Sequence, residues 1–202
     1  MEEKIIRMIG YHGTCSYCRD SIEIYGLDPK KVNYRKDHWL GQGVYFFSDV
    51  DKAIWWAENE SVRFQNKGSF PIVFLAEIKA DASEVLDLDN DSELNLFYDR
   101  ILESQQKIED DGQGRYPVFT SEKYRAVFFD YYKETYGISV ISYTFSKDCT
   151  KCGKIRKSDE LVKQRRLAKV LQLQFKEKQI CVSKKECIKS ISLVYNNEDE
   201  VI

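Results

Sequence analysis

The chain has 202 residues, 43% of them hydrophobic, which is enough for one buried core and predicts a single domain over residues 1–202. A formal net charge of −2 argues against a surface that attracts nucleic acid or membranes as a whole. No segment approaches the roughly 20 apolar residues that cross a bilayer, and the first residues lack the apolar run of a signal peptide. We therefore expect a cytoplasmic protein without membrane contact, whose six cysteines stay reduced.

Hydrophobic periodicity and turn residues predict strands and helices in an order without the regular alternation of a parallel sheet, which favours an α+β fold. Ser48 or Asp49 is predicted to cap the second helix, and Gly26 to end the first. The predicted strands are 5–11, which ends in a turn at Gly13-Thr14, then 43–47, 71–78, 85–88, 125–129, 138–145, 179–182 and 191–195. The predicted helices are 15–25, 50–59 with Ile54, Trp55 and Ala57 on its apolar face, 94–108 and 158–171.

Glycines are concentrated near one end of the chain: five of the ten fall within the first 43 residues. They flank His12 and open the predicted strand that contains Tyr45. Glycine is favoured where the backbone approaches a ligand closely. A His12-Gly13 pair at a strand end would offer an imidazole and backbone polar groups to one ligand, and Tyr45 would stack on a flat ring. On composition alone, a lone histidine is more often structural and a tyrosine in a strand is more often part of the core.

Short motifs that follow one another in order strengthen the ligand hypothesis. The stretches Tyr11-His-Gly-Thr14 and Gly41-Gln-Gly-Val-Tyr-Phe46, followed by Ala53 and Trp56-Ala57, resemble the first two motifs of the ADP-ribosyltransferase superfamily. The resemblance covers residues 8–90 and resumes near Gln179. It implies an ADP-ribosyltransferase-like fold of split mixed or antiparallel sheets with flanking helices, and NAD as the substrate.

The resemblance also implies roles for individual residues. His12 would hydrogen-bond a ribose hydroxyl of NAD, the Gly13 backbone would hold the nicotinamide amide, and Thr14 would lie beside them. Tyr45 would stack on the nicotinamide ring. Two further aromatic residues, Phe46 and Trp56, are candidate walls of the NAD site, although both also suit plain core packing.

The third motif departs from the superfamily pattern. Such enzymes usually place a Glu at the start of a late strand, where its carboxylate favours an oxocarbenium-like transition state. Gln179 occupies that position here, and loss of one such electrostatic group costs about 10²–10³ in rate. Glu177 lies two residues earlier and faces the same side of a strand, so it is a candidate for the missing charge or for positioning the acceptor. The alternatives are an active enzyme built around Gln179 and an inactive relic.

Two Cys-x-x-Cys pairs form a separate signal. Cys15 with Cys18, and Cys149 with Cys152, would complete a tetrahedral structural zinc site if the fold brings the pairs together. The alternative is four unconnected thiols. Residues 147–166 hold eight Lys and Arg against three acids, which is compatible with a solvated helix face or with a patch for RNA, DNA or an acidic partner.

The sequence therefore predicts a mono-ADP-ribosyltransferase that moves ADP-ribose from NAD to a macromolecular acceptor, either protein or nucleic acid. By analogy with the superfamily, it would be a toxin or defence effector restrained by a neutralising partner protein. The rival hypothesis is a catalytically silent module of the same fold that binds NAD or a partner. A third hypothesis makes the zinc pairs and the basic stretch a nucleic-acid-binding element.

Overall fold

The computed structural model describes residues 4–33, 38–110, 125–147 and 175–197. These ranges contain seven strands and four α-helices. The strands are β1 Ile5–Cys15, β2 Val44–Phe47, β3 Pro71–Asp81, β4 Val85–Asp87, β5 Val140–Lys147, β6 Phe175–Val182 and β7 Ile188–Asn196. The helices are α1 Arg19–Tyr25, α2 Val50–Ser61, α3 Asp91–Asp110 and α4 Arg125–Tyr136.

The strands form one seven-stranded mixed sheet in the order β4-β5-β6-β2-β1-β3-β7. Only the β4–β5 pair is parallel among the described strands. The sheet has a narrow junction, since the register between β1 and β2 consists of the single pair Tyr11–Phe47, whereas β1 pairs with β3 along its whole length. A mixed sheet with helices confirms the α+β prediction at this level.

Side chains on the two faces of the sheet enter different core clusters, because successive residues of a strand point to opposite faces. One face carries Phe46, Phe74 and Ile180 from β2, β3 and β6, so both halves of the sheet contribute to this cluster. On the other face, α3 and α4 cover β5 and β6, and α2 packs its alanines over Phe47 and Val73. The junction between β1 and β2 therefore lies beside α2.

The C-terminus of α1 and the N-terminus of α2 lie at the capping residues that the sequence predicted. Asp49 precedes α2, and its carboxylate accepts a hydrogen bond from the Asp51 N–H at 2.9 Å. Gly26 follows α1 with a φ of 72°, a conformation that glycine adopts without steric cost. Both ends were identifiable because a cap depends on one residue and its immediate neighbours.

Three local predictions are wrong. Residues 125–129, predicted as a strand, begin α4, whose buried positions Ala126, Phe129, Tyr132 and Lys133 follow helical spacing. A five-residue apolar run does not by itself distinguish a strand from a buried helix turn. Instead of turning at Gly13-Thr14, β1 continues to Cys15 because β3 pairs with it throughout.

The third error concerns α2, which buries Ala53, Ala57 and Ser61 rather than the predicted Trp55, a residue that is 42% exposed. The sheet comes so close to α2 that only small side chains fit between them. The predicted helix 158–171 and most of the basic stretch 147–166 lie outside the described residues.

Candidate active site

A cavity of about 490 Å³ lies beside the junction between β1 and β2. Strands β1, β2 and β6, helix α2 and the segments that precede β2 all contribute to its wall. The lining residues are His12, Gly13, Thr14, Val32, Asn33, His38, Trp39, Gly43, Val44, Tyr45, Phe47, Trp55, Trp56, Glu60, Arg63, Glu177 and Gln179. The structure thus brings to one cavity all the residues assigned to NAD by the resemblance except Phe46; their roles stay predictions.

The imidazole of His12 lies where β1 and β2 separate. After the pair Tyr11–Phe47, a continued antiparallel ladder would place Gly13 opposite Tyr45. Instead, the Tyr45 carbonyl oxygen accepts a hydrogen bond from Nδ1 of His12 at 2.8 Å. The side chain therefore satisfies a strand carbonyl at the point where the sheet opens.

This hydrogen bond fixes the proton arrangement of His12. A carbonyl oxygen only accepts, so Nδ1 carries the proton. Burial lowers the pKa of His12 below its ordinary value of about 6.5, and the bond to the Tyr45 carbonyl offsets part of that change. The ring is therefore neutral at pH 7, and its Nε2 bears a lone pair. His12 is suited to accept a hydrogen bond from a hydroxyl group of a ligand.

Gly13 is required by the packing of α2 against β1. A Cβ atom there would overlap the Ala53 carbonyl oxygen and would lie 3.2 Å from the Ala57 backbone nitrogen. The missing side chain lets the helix approach the strand and leaves the Gly13 backbone in the cavity wall. Thr14 follows in the same wall. The glycine thus has a structural reason that is independent of any ligand.

The ring of Tyr45 is held in place by two hydrogen bonds of its hydroxyl group. Its hydroxyl accepts a hydrogen bond from the Leu40 N–H at 2.8 Å and donates one to the Gly41 carbonyl at 2.7 Å. Burial raises the pKa of Tyr45 far above its ordinary value, so the hydroxyl stays protonated. The ring also packs against His38, with 5.0 Å between ring centroids. Tyr45 therefore forms a rigid aromatic wall of the cavity.

The segment before β2 is fixed by contacts that we call the Gln42 anchor. The Gln42 backbone N–H donates to Asp130 Oδ1 at 2.6 Å, and Lys133 Nζ donates to the Gln42 carbonyl at 2.7 Å. The Gln42 side chain donates to the Val32 carbonyl at 2.6 Å and lies 3.0 Å from His38 Nδ1. Helix α4 thereby holds the segment that carries the cavity residues around Tyr45.

Glu177 and Gln179 form a hydrogen-bonded pair on β6. The Gln179 amide donates to Glu177 Oε1 at 2.6 Å, and Glu177 is 4% exposed. Gln179 lies opposite Phe47 on β2, and Glu177 lies opposite Phe145 on β5. The pair places a carboxylate that is bonded to an amide in the cavity wall.

Phe46 does not line the cavity and packs in the core instead, which is the alternative that the sequence left open for it. It is fully buried in the core on the opposite face of the sheet, because it alternates along β2 with Tyr45 and Phe47. Phe47 lines the cavity in its place, and its ring centroid lies 6.2 Å from that of Trp56. The strict alternation of β2 was the sequence signal that distinguishes the two phenylalanines.

The cavity wall also contains every tryptophan of the chain. Trp56 was predicted to line the site because it belongs to a motif that resembles the ADP-ribosyltransferase superfamily. Trp39 and Trp55 belong to no such motif and were not predicted there. Trp39 packs its ring against Phe145, with 4.4 Å between centroids. Binding of a ligand in this cavity should therefore alter the whole tryptophan fluorescence of the protein.

The proposed zinc ligands are described only in part. Cys15 is buried and Cys18 is exposed. Burial, and next the neighbouring Cys18 thiol, raise the pKa of Cys15. Cys149 and Cys152 lie outside the described residues. Within the described ranges, no three His, Cys, Asp or Glu residues are grouped to hold a metal. A zinc site that joins the two pairs stays a prediction.

Comparisons of this chain with family models, with curated proteins and with solved structures gave no match. No helix among the described residues is long and apolar enough to cross a membrane.

Proposed function

We propose that the chain is a mono-ADP-ribosyltransferase that moves ADP-ribose from NAD to a protein or nucleic-acid acceptor. The observation that carries this proposal is the meeting of a neutral imidazole, a fixed aromatic ring and a buried carboxylate in one cavity. The narrow junction between β1 and β2 supports the finer proposal of a split-sheet fold of the ADP-ribosyltransferase type.

The wall of the cavity matches the chemical groups of the nicotinamide riboside half of NAD. The flat rings of Tyr45 and Trp56 suit stacking with the pyridinium ring, which is both aromatic and cationic. Nε2 of His12 suits a ribose hydroxyl as its donor. A volume of about 490 Å³ is within the range of small-molecule sites. We assign the part of the cavity lined by His12, Tyr45 and Trp56 to nicotinamide and its ribose.

The reaction exchanges one bond at the anomeric carbon of that ribose. The bond from C1′ to the nicotinamide nitrogen breaks, and nicotinamide leaves as a neutral molecule with the bonding electron pair. A lone pair of the acceptor then attacks C1′, and the acceptor loses a proton to solvent. Between these events C1′ and the ring oxygen share a positive charge. Water in place of the acceptor gives hydrolysis of NAD.

We assign the carboxylate that favours this positive charge to Glu177. It is the buried acid of the pair on β6, and the Gln179 amide holds one of its oxygens at 2.6 Å. A fixed negative charge in a site of low polarity stabilises a developing cation more than it would in water. Gln179, which occupies the position of the superfamily glutamate, becomes a positioning residue in this proposal.

A silent binding module of the same fold is the second candidate, and Gln179 favours it. A neutral amide stands where the resembling enzymes place their carboxylate, and its N–H group is already bonded to Glu177. If that bond holds Glu177 away from C1′, the cavity would bind NAD without cleaving it.

Release of nicotinamide from NAD separates the two candidates. In the proposed enzyme, wild-type protein releases nicotinamide, and Glu177→Gln, which removes the charge and keeps the shape, lowers the rate about 10²-fold or more. In a silent module, wild type and Glu177→Gln both bind NAD and release none, and Gln179→Glu creates release. Absence of NAD binding in all three proteins would contradict both candidates.

A further inference from the structure

Arg63 is the only residue with a permanent positive charge among the described residues that line the cavity. Two acids, Glu60 and Glu177, share the wall with it. NAD carries two negative phosphate groups, which a binding site usually meets with arginine or with backbone N–H groups. Arg63 is therefore the side chain in the described wall whose charge is complementary to the phosphates of a dinucleotide.

Arg63 lies just past the end of the stripe that α2 presents to the cavity. Trp56 and Glu60 are spaced by four residues on one side of α2, which ends at Ser61. The five residue steps from Trp56 to Ser61 correspond to about 7.5 Å along the helix axis. The Arg63 backbone is fixed just past the end of α2, where its N–H donates to the Glu60 carbonyl at 3.2 Å and its carbonyl accepts from the Asn66 N–H at 2.8 Å.

The guanidinium group is oriented before any ligand arrives. Arg63 Nη2 lies 2.9 Å from Glu60 Oε1, and the two side chains are 41% and 17% exposed. A guanidinium has five N–H groups in a planar fork, so one bond to Glu60 leaves the fork able to meet phosphate oxygens. We infer that Arg63 binds the pyrophosphate of the dinucleotide, so that NAD extends along α2 from Trp56 toward Arg63. This inference rests on the proposed function.

The inference has a structural alternative. A positive charge near a helix C-terminus interacts favourably with the helix dipole, and a pair with an acid three residues away adds a small further stabilisation. Such an arginine affects the stability of the fold but does not distinguish ligands with phosphates from ligands without them. The discriminating observation is therefore a change in ligand selectivity.

The experiment measures the affinities of two probes by calorimetry. Carba-NAD carries both phosphates and resists cleavage at C1′, and nicotinamide riboside lacks phosphates. Arg63→Gln should weaken carba-NAD about fivefold or more, because one charge contact near water is worth about 1 kcal/mol. Glu60→Gln removes a neighbouring negative charge and should strengthen carba-NAD about two- to fivefold. Neither variant should change the affinity for nicotinamide riboside by more than about twofold.

Arg7→Gln is the matched control, since Arg7 is exposed on β1 and does not line the cavity. It should leave both affinities unchanged. The inference is overturned if Arg63→Gln binds carba-NAD as wild type does, or weakens both probes equally; the proposed function survives either result. If wild type binds neither probe, the proposed function and the inference both fail.

Discussion

Replacing Lys133 by Met removes one bond of the Gln42 anchor and keeps most of the side-chain volume. The Lys133 side chain is 6% exposed, and its Nζ donates to the Gln42 carbonyl at 2.7 Å. Its Nζ also lies 3.5 Å from Asp130 Oδ1, the outer limit of a hydrogen bond to oxygen, and 3.5 Å from Cys181 Sγ, a weak acceptor. The 2.7 Å bond is therefore the main loss.

A hydrogen bond from a charged donor contributes about 1.5–3 kcal/mol to the free energy of unfolding. Met offsets part of this loss, because the variant no longer has to bury an ammonium group. We expect the free energy of unfolding to fall by about 1–3 kcal/mol, which lowers Tm by about 2–4 °C for each kcal/mol in a domain of this size. The affinity for carba-NAD should fall as well, since the anchor holds the segment around Tyr45.

Urea denaturation and calorimetry with carba-NAD measure the two effects. Lys79→Met is the control, because the pair of Lys79 with Glu77 is partly exposed, at 28% and 32%, and should contribute under about 1 kcal/mol. A Lys133→Met protein that is as stable as Lys79→Met and binds carba-NAD as wild type does would contradict a supporting role for the Gln42 anchor.

Three further predictions concern the cavity and the cysteines. Tyr45→Ala should weaken carba-NAD by about 1–2 kcal/mol in calorimetry, through loss of ring stacking; unchanged affinity would remove Tyr45 from the site. Burial lowers the pKa of His12, so as the pH falls the unfolded chain binds this proton at a higher pH than the folded protein does. The contribution of the neutral His12 to the free energy of unfolding is therefore lost as pH falls below about 6.5. Carba-NAD affinity should fall in acid, once protonated Nε2 no longer accepts, and His12→Ala should lack this limb; an identical acid limb in both proteins would contradict the assignment. Metal analysis of protein prepared without chelators should give about one zinc per chain, and Cys18→Ser should lose it; protein without zinc would show that the Cys-x-x-Cys pairs do not form a site.

The sequence predicted most of the elements because their signals are local. Gly26 marks the C-terminus of α1, and Asp49 marks the N-terminus of α2. The long apolar run of β3 has the pattern of a buried strand. Candidate site residues such as His12 and Tyr45 were identified by resemblance to short motifs. Their meeting in one cavity required the pairing of β1 with β2, which no local pattern determines.

The remaining features depend on contacts between distant residues. Two bonds of the Gln42 anchor join residues 88 and 91 positions apart. Their partners, Asp130 and Lys133, belong to α4, whose first residues 125–129 were predicted as a strand. The proximity of Glu177 and Gln179 was predictable from the sequence, because residues two positions apart face the same side of a strand. Its consequence, a buried carboxylate held by an amide, required the burial that only the fold reveals.

Transfer of ADP-ribose tests the central claim most directly. Purified protein is incubated with a cell lysate and with NAD labelled in its adenosine half, and the products are digested separately with protease and with nuclease. We expect wild type to place label on a macromolecule that one of the two digestions releases, and Glu177→Gln to place far less. Label that stays in NAD with wild type, in lysates where an unrelated ADP-ribosyltransferase does transfer it, would contradict the account.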